Sequence, residues 1–331
     1  MAHRAAIIGC GLIGSELDDT VRVAGIWSHA GAYAAEPATE LVALCDNDGT
    51  RLARCCERWQ VAQGYLDYRE MLARAAPEIV SVCVPDALHH AVISEVLRQP
   101  SVRAVFAEKP LASDLVQGRE LVGKAAERGV LLAVNYLRRY APGFAALKRF
   151  IATGGLGRVQ TLCGFYTKGT AHNGSHWFDL VDYLLGPIVE VRARDCLGEA
   201  GSDPTLDVDL LLHDGTRATL HGCDSRCYTL FEMDLVGSAG RARIVDSGFT
   251  IEVQRVSDSV FGAGYRNLAA AERLDGGLGQ ALPAALADIV DCLATGAQPR
   301  CSGTDALRAL GVAVAAWQSA QAEQKPVTVA R

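Results

Sequence analysis

The sequence Gly9-Cys10-Gly11-Leu12-Ile13-Gly14 follows directly after the apolar run Ala5–Ile8. The spacing Gly-x-Gly-x-x-Gly between a strand and a helix predicts a dinucleotide-binding loop. Its first glycine permits a tight turn, the second lets the backbone approach a pyrophosphate, and the third lets the helix pack on the strand. The pyrophosphate is expected at the helix N-terminus, where unpaired N–H groups favour an anion. Leu12 and Ile13 are expected among the cofactor contacts.

Strand-like and helix-like stretches alternate over the first 135 residues. Apolar runs typical of strands buried on both faces are Ala5–Ile8, Leu41–Cys45, Ile79–Val84, Ala104–Ala107 and Val130–Val134. Helices are predicted at Gly49–Trp59, Tyr68–Ala75, His90–Leu97 and Ser113–Arg128, the last capped by Ser113 and ended by Gly129. Repeated strand–helix–strand units predict an α/β, doubly wound Rossmann domain over residues 1–134.

From about Gly157 the sequence pattern changes, because the predicted strands are longer and contain interspersed polar residues. Strands are predicted at Val159–Tyr166, Ile188–Cys196, Leu206–Leu212, Arg217–Cys223, Cys227–Val236 and Arg241–Val245, and helices at Asn173–Leu185, Leu278–Thr295 and Thr304–Gln321. The pattern predicts a second, α+β domain over residues 135–331 with a large, mostly antiparallel sheet covered on one face.

Composition excludes several classes of protein. The 331 residues carry a net charge of −6, which argues against a nucleic-acid partner. No apolar run approaches the ~20 residues of a membrane-spanning helix, and no signal peptide is predicted. Eleven scattered cysteines indicate reduced thiols in a cytoplasmic protein rather than a disulfide framework. The spacing of His221, Cys223 and Cys227 matches no common zinc pattern, so no metal site is predicted.

Asp46 ends the second predicted strand, where an acid can accept hydrogen bonds from both ribose hydroxyls of an adenosine. It would repel a 2′-phosphate, and no basic residue follows until Arg51, so NAD is favoured over NADP. Asp46 lies 32 residues after Gly14, against about 20 in the usual fingerprint, with the excess in Asp18–Pro37. The alternative is that Asp46 is only a turn residue at a strand end.

Two further strand ends carry polar residues where a dinucleotide cleft is expected to open. Pro85-Asp86 follows one strand, and His89 either contacts the cofactor or merely caps and packs. Glu108-Lys109-Pro110 follows another. The ammonium of Lys109 can hydrogen-bond an oxygen that changes between hydroxyl and carbonyl, and its pKa would fall beside a cationic nicotinamide. The alternative is a surface salt bridge.

These motifs together resemble those of the Gfo/Idh/MocA oxidoreductases, and the resemblance covers essentially the whole chain. It rests on the glycine loop and on Pro85-Asp86-Ala87-Leu88-His89, Glu108-Lys109-Pro110, Asn135-Tyr136-Leu137-Arg138-Arg139-Tyr140 and Gly174-Ser175-His176-Trp177-Phe178-Asp179-Leu180. The resemblance implies a Rossmann domain followed by an open-faced sheet domain, through which members commonly oligomerise. It also implies NAD(P)-dependent redox chemistry on a sugar, polyol or nucleotide-linked sugar.

Carried over by position, Lys109 resembles the catalytic lysine and His176 the histidine near the substrate hydroxyl. Asn173 and Ser175 are plausible helix caps, which would place His176 in a first helical turn where Asp179 could orient it. Polyol-oxidising members often have Asp four residues before this histidine; here that residue is His172. The expected substrate contacts are Lys109, Arg139, Lys168, His172, Asn173 and His176, and Glu108 is expected beside the cofactor. The alternatives are that Arg138 or Arg139 pairs with acids across the domain junction, and that Lys168 and His172 lie in a solvated loop.

The resulting hypothesis is a cytoplasmic NAD-dependent oxidoreductase acting on CH–OH groups of a sugar, polyol or nucleotide-sugar, with Lys109 and His176 in a cleft between the domains. A dimer or tetramer is expected. The first alternative is a dinucleotide-bound sensor that performs no redox chemistry. The second is a methyltransferase that uses the glycine loop for S-adenosylmethionine, although this leaves the second domain unexplained.

Overall fold

The computed structural model describes residues 2–198 and 201–330, which form two compact units. Unit 1 comprises residues 2–140 and 279–307, and unit 2 comprises 141–278 and 308–330. This division differs from the expected consecutive domains 1–134 and 135–331 because the chain returns to unit 1 after residue 278. The returning segment contains a long apolar helix that packs against elements of unit 1, a long-range contact that local patterns do not reveal.

Unit 1 is built on a parallel sheet with strand order β3-β2-β1-β4-β5-β6, which confirms the doubly wound Rossmann class. Its strands are β1 (His3–Ile8), β2 (Thr39–Cys45), β3 (Gly64–Tyr65), β4 (Ile79–Val82), β5 (Ala104–Ala107) and β6 (Leu131–Val134). Strands β1, β4 and β5 are apolar because helices cover both sides of the sheet, and their central residues are almost completely buried. The two-residue strand β3 carries too short a pattern to be predicted.

The helices of the described chain alternate with these strands and continue through unit 2. They are α1 (Leu17–Thr20), α2 (His29–Ala35), α3 (Gly49–Trp59), α4 (Tyr68–Ala75), α5 (His89–Val96), α6 (Leu115–Arg128), α7 (Pro142–Ala152), α8 (Ser175–Leu185), α9 (Ala281–Thr295) and α10 (Gly303–Gln321). Gly129 ends α6 in the left-handed conformation, as predicted. The predicted cap of that helix was wrong, because Asp114 rather than Ser113 accepts the hydrogen bond from the N–H of Gln117.

The helix after the glycine loop is interrupted, which explains the long spacing to Asp46. A π-helical turn over Leu12–Glu16 runs into α1, and helical structure resumes only at α2. The carboxylate of Asp18 closes the intervening segment by accepting hydrogen bonds from the N–H of Trp27 and the hydroxyl of Ser28. Ser28 in turn caps α2 through the N–H of Gly31, so the inserted segment fixes where α2 begins.

Unit 2 contains the predicted, largely antiparallel sheet, in the order β14-β13-β12-β11-β7-β10-β9-β8-β16, with β15 also paired to β13. Its strands are β7 (Val159–Tyr166), β8 (Ile188–Arg194), β9 (Asp207–Leu212), β10 (Arg217–Gly222), β11 (Phe231–Gly237), β12 (Gly240–Val245), β13 (Thr250–Asp258), β14 (Arg266–Leu268), β15 (Glu272–Asp275) and β16 (Val327–Thr328). Among these described strands, β7 and β10 pair in parallel.

One face of this sheet is buried under helices. Residues Phe231, Met233 and Leu235 of β11 point inward in alternation with less buried neighbours. The indole of Trp177, from α8, stacks on Phe231 with ring centroids 3.8 Å apart. The prediction of a strand from Cys227 was wrong at its start, because the chain does not become extended in the sheet until Phe231.

Residues 278–295 are long and apolar enough to meet simple criteria for a membrane span. In the structure, α9 occupies most of this segment and packs against α2 and β6 within unit 1. A core helix of a globular unit meets the same criteria, and the packing accounts for its apolar composition.

Candidate active site

A groove of about 740 Å³ opens at the carboxyl ends of β1, β2 and β4, the edge where doubly wound sheets bind dinucleotides. The glycine loop, the end of β2 and the end of β4 contribute the walls. The groove is lined by Ile8, Gly9, Gly11, Leu12, Ile13, Cys45, Asp46, Asn47, Arg51, Leu66, Asp67, Tyr68, Arg69, Cys83, Val84, Pro85, Leu88 and Val92.

The glycine loop fits the predicted division of roles. Gly9 has a φ of +99°, and a Cβ there would lie 2.4 Å from the carbonyl oxygen of Cys83. A Cβ on Gly14 would lie 2.0 Å from the carbonyl oxygen of Gly9, so the helix can approach the strand only without a side chain. A Cβ on Gly11 would meet no heavy atom within 4 Å. Gly11 therefore presents bare backbone to the open groove, as close approach of a pyrophosphate requires.

Asp46 is buried at the groove, and its carboxylate already accepts hydrogen bonds from other residues of the chain. Its Oδ2 accepts a hydrogen bond from the N–H of Cys10 at 2.8 Å, and its Oδ1 accepts one from the N–H of Asp48 at 2.8 Å. The guanidinium of Arg51, a groove residue that the sequence interpretation did not include, lies 3.2 Å from Oδ1. Asp46 therefore anchors the glycine loop and pairs with a cation. Nη1 of Arg51 also lies 3.4 Å from Oδ2, so a ribose hydroxyl would compete with Arg51 for this carboxylate.

At the end of β4, Pro85 lines the groove as expected, but His89 does not contact it. The imidazole of His89 is fully buried, with Nδ1 2.6 Å from the carbonyl oxygen of Pro110 and Nε2 2.9 Å from that of Val84. The expected cofactor contact of His89 is thus corrected in favour of local packing. The ring ties the end of β4 to the turn that follows β5.

Lys109 lies two residues beyond the end of β5, beside the strand end that lines the groove. The N–H of Glu108 donates to the carbonyl oxygen of Val82 at 3.0 Å, which holds the two strand ends together. Lys109 is half-buried, and the peptide bond to Pro110 is cis. This is the position at which the sequence predicts the reacting group.

The carboxylate of Glu108 points into unit 1, which corrects its expected contact with the cofactor. Its Oε1 lies 3.1 Å from Nε2 of His29 and accepts a hydrogen bond of 2.7 Å from Nδ2 of Asn135. Burial disfavours the charged form of this carboxylate. The hydrogen bond and charge of His29, the hydrogen bond of Asn135 and the charge of Lys109 outweigh that cost, so the pKa of Glu108 is lowered.

Behind His29 lie two more polar residues that the sequence interpretation missed. Nδ1 of His29 is 2.9 Å from Oγ of Ser81, on β4, and this Oγ is 2.9 Å from the phenolic oxygen of Tyr33, on α2. His29, Ser81 and Tyr33 are each almost completely buried. The only sequence signal was a histidine among small residues in the inserted segment, and it indicated no partner.

Arg139 was expected to bind substrate or to pair with an acid, and the structure shows an acidic partner. Its guanidinium is buried and lies 3.1 Å from the carboxylate of Asp305, at the start of α10 and within unit 1. The carbonyl oxygen of Arg300 accepts a second hydrogen bond from it at 3.4 Å. Arg139 therefore stabilises the return of the chain into unit 1.

In unit 2, the loop after β7 carries the remaining expected substrate residues. A π-helical turn over Gly169–Gly174 runs directly into α8, so His176 lies in the first turn of α8, as expected. Asn173 and Ser175 do not cap that helix. Nδ2 of Asn173 donates to the carbonyl oxygen of Thr167. The hydroxyl of Ser175 donates to the carbonyl oxygen of His172. The half-buried imidazole of His176 meets the ring of Phe231 edge-on at 6.2 Å.

Lys168 and His172 are exposed on this loop, close to a polar cavity of about 720 Å³ within unit 2. The carboxylate of Asp203 holds the loop by accepting hydrogen bonds from the N–H groups of Ala171 and His172 at 2.7 and 2.8 Å. The cavity is lined by Lys168, Gly169, Leu197, Gly198, Asp203, Thr205, Ser225 and Arg226. Lys168 lines this cavity and His172 does not, and the substrate contacts of both stay predictions.

A doubly wound sheet, a glycine loop open to a groove, an acid at the end of β2 and a lysine at the end of β5 define a dinucleotide-dependent oxidoreductase. Comparison with protein families agrees. Residues 3–136 match the Gfo/Idh/MocA oxidoreductase family, NAD-binding Rossmann fold, and residues 169–329 match the C-terminal alpha/beta domain of the same family. The chain therefore belongs to the Gfo/Idh/MocA oxidoreductase family and has an NAD-binding Rossmann domain.

Individual relatives span the whole chain at low identity. D-apiose dehydrogenase from Paraburkholderia graminis is 24% identical over 96% of this chain and 88% of its own. A solved levoglucosan dehydrogenase in complex with NADH has a TM-score of 0.84 at 16% identity, covering 100% of both chains. The WlbA dehydrogenase from Bordetella pertussis, in complex with NADH and UDP-GlcNAcA, has a TM-score of 0.77 at 19% identity, also covering both chains fully.

Proposed function

We propose that this protein is an NAD-dependent dehydrogenase or reductase acting on a CH–OH or keto carbon of a sugar or nucleotide-sugar. The observation that carries the proposal is the position of Lys109, directly beyond β5 and beside the strand end that lines the dinucleotide groove. The named activities and ligands of the relatives support the substrate class. NAD is favoured over NADP because Asp46 would repel a 2′-phosphate.

When bound, NAD supplies the carbon that accepts or returns a hydride. The chain's own residues hold and orient it. Gly11 would leave room for the pyrophosphate, Leu12 and Ile13 follow on the groove wall, and Asp46 would accept the ribose hydroxyls in place of its contact with Arg51. Pro85 forms the wall at the end of β4, nearest to the turn that carries Lys109. Together these residues would hold the dinucleotide in the groove beside the turn that carries Lys109.

Lys109 is proposed as the catalytic residue that hydrogen-bonds the reacting oxygen of the substrate through its Nζ. An ammonium there stabilises the negative charge that develops on the oxygen when the carbinol proton leaves. His176 is proposed as the general acid–base that takes this proton during oxidation and returns it during reduction. Lys168, His172 and Asn173 are proposed to contact the remaining hydroxyls or substituents of the sugar.

The replacement of the usual Asp by His172 argues against an inositol-type proton relay through an acid at that position. Asp203, in the segment before β9, contacts this loop by accepting hydrogen bonds from two of its backbone N–H groups. His176 is therefore proposed to act without a carboxylate from position 172. This shifts the expected substrate from simple polyols towards sugars and nucleotide-sugars.

A panel assay separates the enzyme from the dinucleotide-bound sensor. Wild-type protein is mixed with NAD and a panel of aldoses, glycosides, uronic acids and nucleotide-sugars, and NADH is followed by its absorbance. Turnover with at least one panel member supports the proposal, and His176→Asn should lower that turnover by about 10²-fold or more. Tight NAD binding by calorimetry without turnover on any member would support the sensor. S-adenosylmethionine is titrated in parallel to test the methyltransferase alternative.

Self-association and location are proposed on separate grounds. A dimer or tetramer is proposed because the sheet of unit 2 leaves Phe165 and His221, stacked at 5.5 Å, partly exposed. Light scattering after size exclusion tests this.

A cytoplasmic location is proposed because the cysteines are all free thiols, which a reducing compartment preserves. Cell fractionation tests the second point.

A further inference from the structure

A continuous chain of hydrogen bonds leads from the interior of unit 1 to the residue before Lys109. It runs from the phenol of Tyr33 to Oγ of Ser81, from Ser81 to Nδ1 of His29, and from Nε2 of His29 to Oε1 of Glu108, with distances of 2.9 to 3.1 Å. None of these four side chains lines the groove. Nothing in the proposed chemistry uses His29, Ser81 or Tyr33.

One assignment of donors satisfies every member of this chain. Tyr33 donates to Ser81, Ser81 donates to Nδ1 of His29, and Nε2–H of His29 donates to Glu108. In this direction every buried donor of the chain has an acceptor. His29 is also clamped against Phe106 of β5, with ring centroids 4.5 Å apart. The imidazole therefore has one orientation, aimed at Glu108.

Glu108 connects the hydrogen-bonded chain to Lys109 in two ways. The N–H of Lys109 lies 3.3 Å from Oε2 of Glu108, so the carboxylate contacts the backbone of the lysine itself. The charges of Glu108 and Lys109 also interact favourably, which helps to lower the pKa of Glu108. By reciprocity, an ionised Glu108 favours the ammonium form of Lys109. The donors that hold Glu108 ionised and in place are Nε2 of His29 and Nδ2 of Asn135.

We propose that His29 is a positioning residue for the reaction, which acts through Glu108 to fix the backbone and the charge state of Lys109. This inference rests on the proposed role of Lys109. It also assigns a purpose to the inserted segment before α2. Asp18 and Ser28 define where α2 begins, and His29 is its first residue, so the segment sets the position of the imidazole.

The test compares His29→Leu, which removes both ring nitrogens at similar volume, with His29→Gln, which retains a donor and an acceptor. Turnover, KM and NAD affinity are measured for the substrate found in the panel assay. We expect His29→Leu to lower kcat about 10- to 100-fold, because small misplacements of a catalytic group are costly. NAD affinity and KM should stay within about threefold, and His29→Gln should recover most of kcat. His90→Leu is the matched control, since His90 pairs with Glu120 on the outer helices.

A second readout needs no turnover. Trace acetylation at pH 8, quantified by mass spectrometry, reports the reactivity of the Lys109 amine relative to exposed Lys325. Loss of the His29 donor should let the Glu108 carboxylate turn away from Lys109, weaken its attraction for the ammonium and speed labelling of Lys109 roughly threefold. This readout stands even if the panel assay finds no substrate, so failure of the proposed function is separable from failure of this inference.

Folded His29→Leu protein with unchanged kcat and unchanged Lys109 labelling would overturn the proposal, even if its melting temperature fell. Should this variant not fold, Ser81→Ala replaces it, because it removes the hydroxyl at Nδ1 and keeps His29. A kcat lowered about threefold or more, with faster Lys109 labelling, supports the proposal. Wild-type values for both would again contradict it.

Discussion

The N–H of Cys10, inside the glycine loop, donates a hydrogen bond of 2.8 Å to Oδ2 of Asp46 at the end of β2. One carboxylate therefore holds the loop that is to receive the pyrophosphate and stands where the adenosine ribose is expected. Arg51 lies against the same carboxylate and lines the same groove. Through Asp46, the preference for NAD or NADP is thus expected to depend on the conformation of the glycine loop.

Replacing Asp46 should change cofactor preference. In Asp46→Ala, the repulsion of a 2′-phosphate is lost and Arg51 is released to bind it, so the ratio of NADP to NAD affinity should rise about tenfold or more. NAD affinity should itself fall about tenfold, since hydrogen bonds to a charged group are lost. Calorimetric titration of both dinucleotides measures these changes.

The control for this prediction is Asp46→Ala combined with Arg51→Ala. The double variant should lose NAD affinity without gaining NADP affinity. An equal gain in NADP affinity with and without Arg51 would show that this guanidinium does not recognise the 2′-phosphate.

Two glycines of the loop should respond differently to alanine. In Gly14→Ala the new Cβ collides with the carbonyl oxygen of Gly9, so the free energy of unfolding should fall by about 1–3 kcal/mol. In Gly11→Ala the new Cβ projects into open space, so stability should be unchanged while NAD affinity falls. Thermal unfolding and calorimetry distinguish the two. An unaffected NAD affinity in Gly11→Ala would place the pyrophosphate elsewhere.

The fold of unit 1 was predictable because each local signal had one interpretation. The strand at Ala104–Ala107 and the helices at Gly49–Trp59 and Tyr68–Ala75 have the predicted bounds, as does the strand at Val159–Tyr166 in unit 2. The return of α9 to unit 1 was not predictable, since it depends on contacts between residues far apart in sequence. The hydrogen bond between Asp18 and Ser28 in the inserted segment could not be predicted for the same reason.

Arg139 tests the distinction between a substrate residue and a structural one. Removing its charge in Arg139→Met leaves Asp305 without its buried partner, which should lower the free energy of unfolding by about 3–5 kcal/mol. KM for the sugar should stay within about threefold for the folded variant. Urea unfolding and steady-state kinetics are the measurements. A large rise in KM with unchanged stability would restore Arg139 to the substrate site.

Glu108 should make stability depend on pH in a defined direction. Its pKa is lower in the folded protein than the ~4.3 expected when unfolded, so its ionised form stabilises the fold above that value. This contribution is lost as the pH falls through the folded pKa. The difference in unfolding free energy between wild type and Glu108→Gln should therefore shrink as the pH is lowered from about 6 to about 3. A difference that grew on acidification would mean that the folded carboxylate is protonated more readily.

In the candidate site, the position of some residues could be predicted from the sequence and the orientation of others could not. Residues placed by a local motif, such as Gly11, Asp46 and Pro85, do line the groove. The direction of polar side chains depends on packing and could not be predicted: in the structure His89 and Arg139 are buried and paired, and Glu108 points inward. A sequence shows which ionisable residues lie near a strand end, but packing decides which of them face solvent.

The account depends most on Lys109, and one measurement tests it directly: kcat and NAD affinity of Lys109→Ala on the substrate found in the panel assay. Truncation removes the group proposed to stabilise charge on the reacting oxygen, so kcat should fall by about 10²-fold or more. NAD affinity should remain within about threefold, because the groove is built by other residues. A Lys109→Ala enzyme that retains most of its turnover would contradict the proposed chemistry.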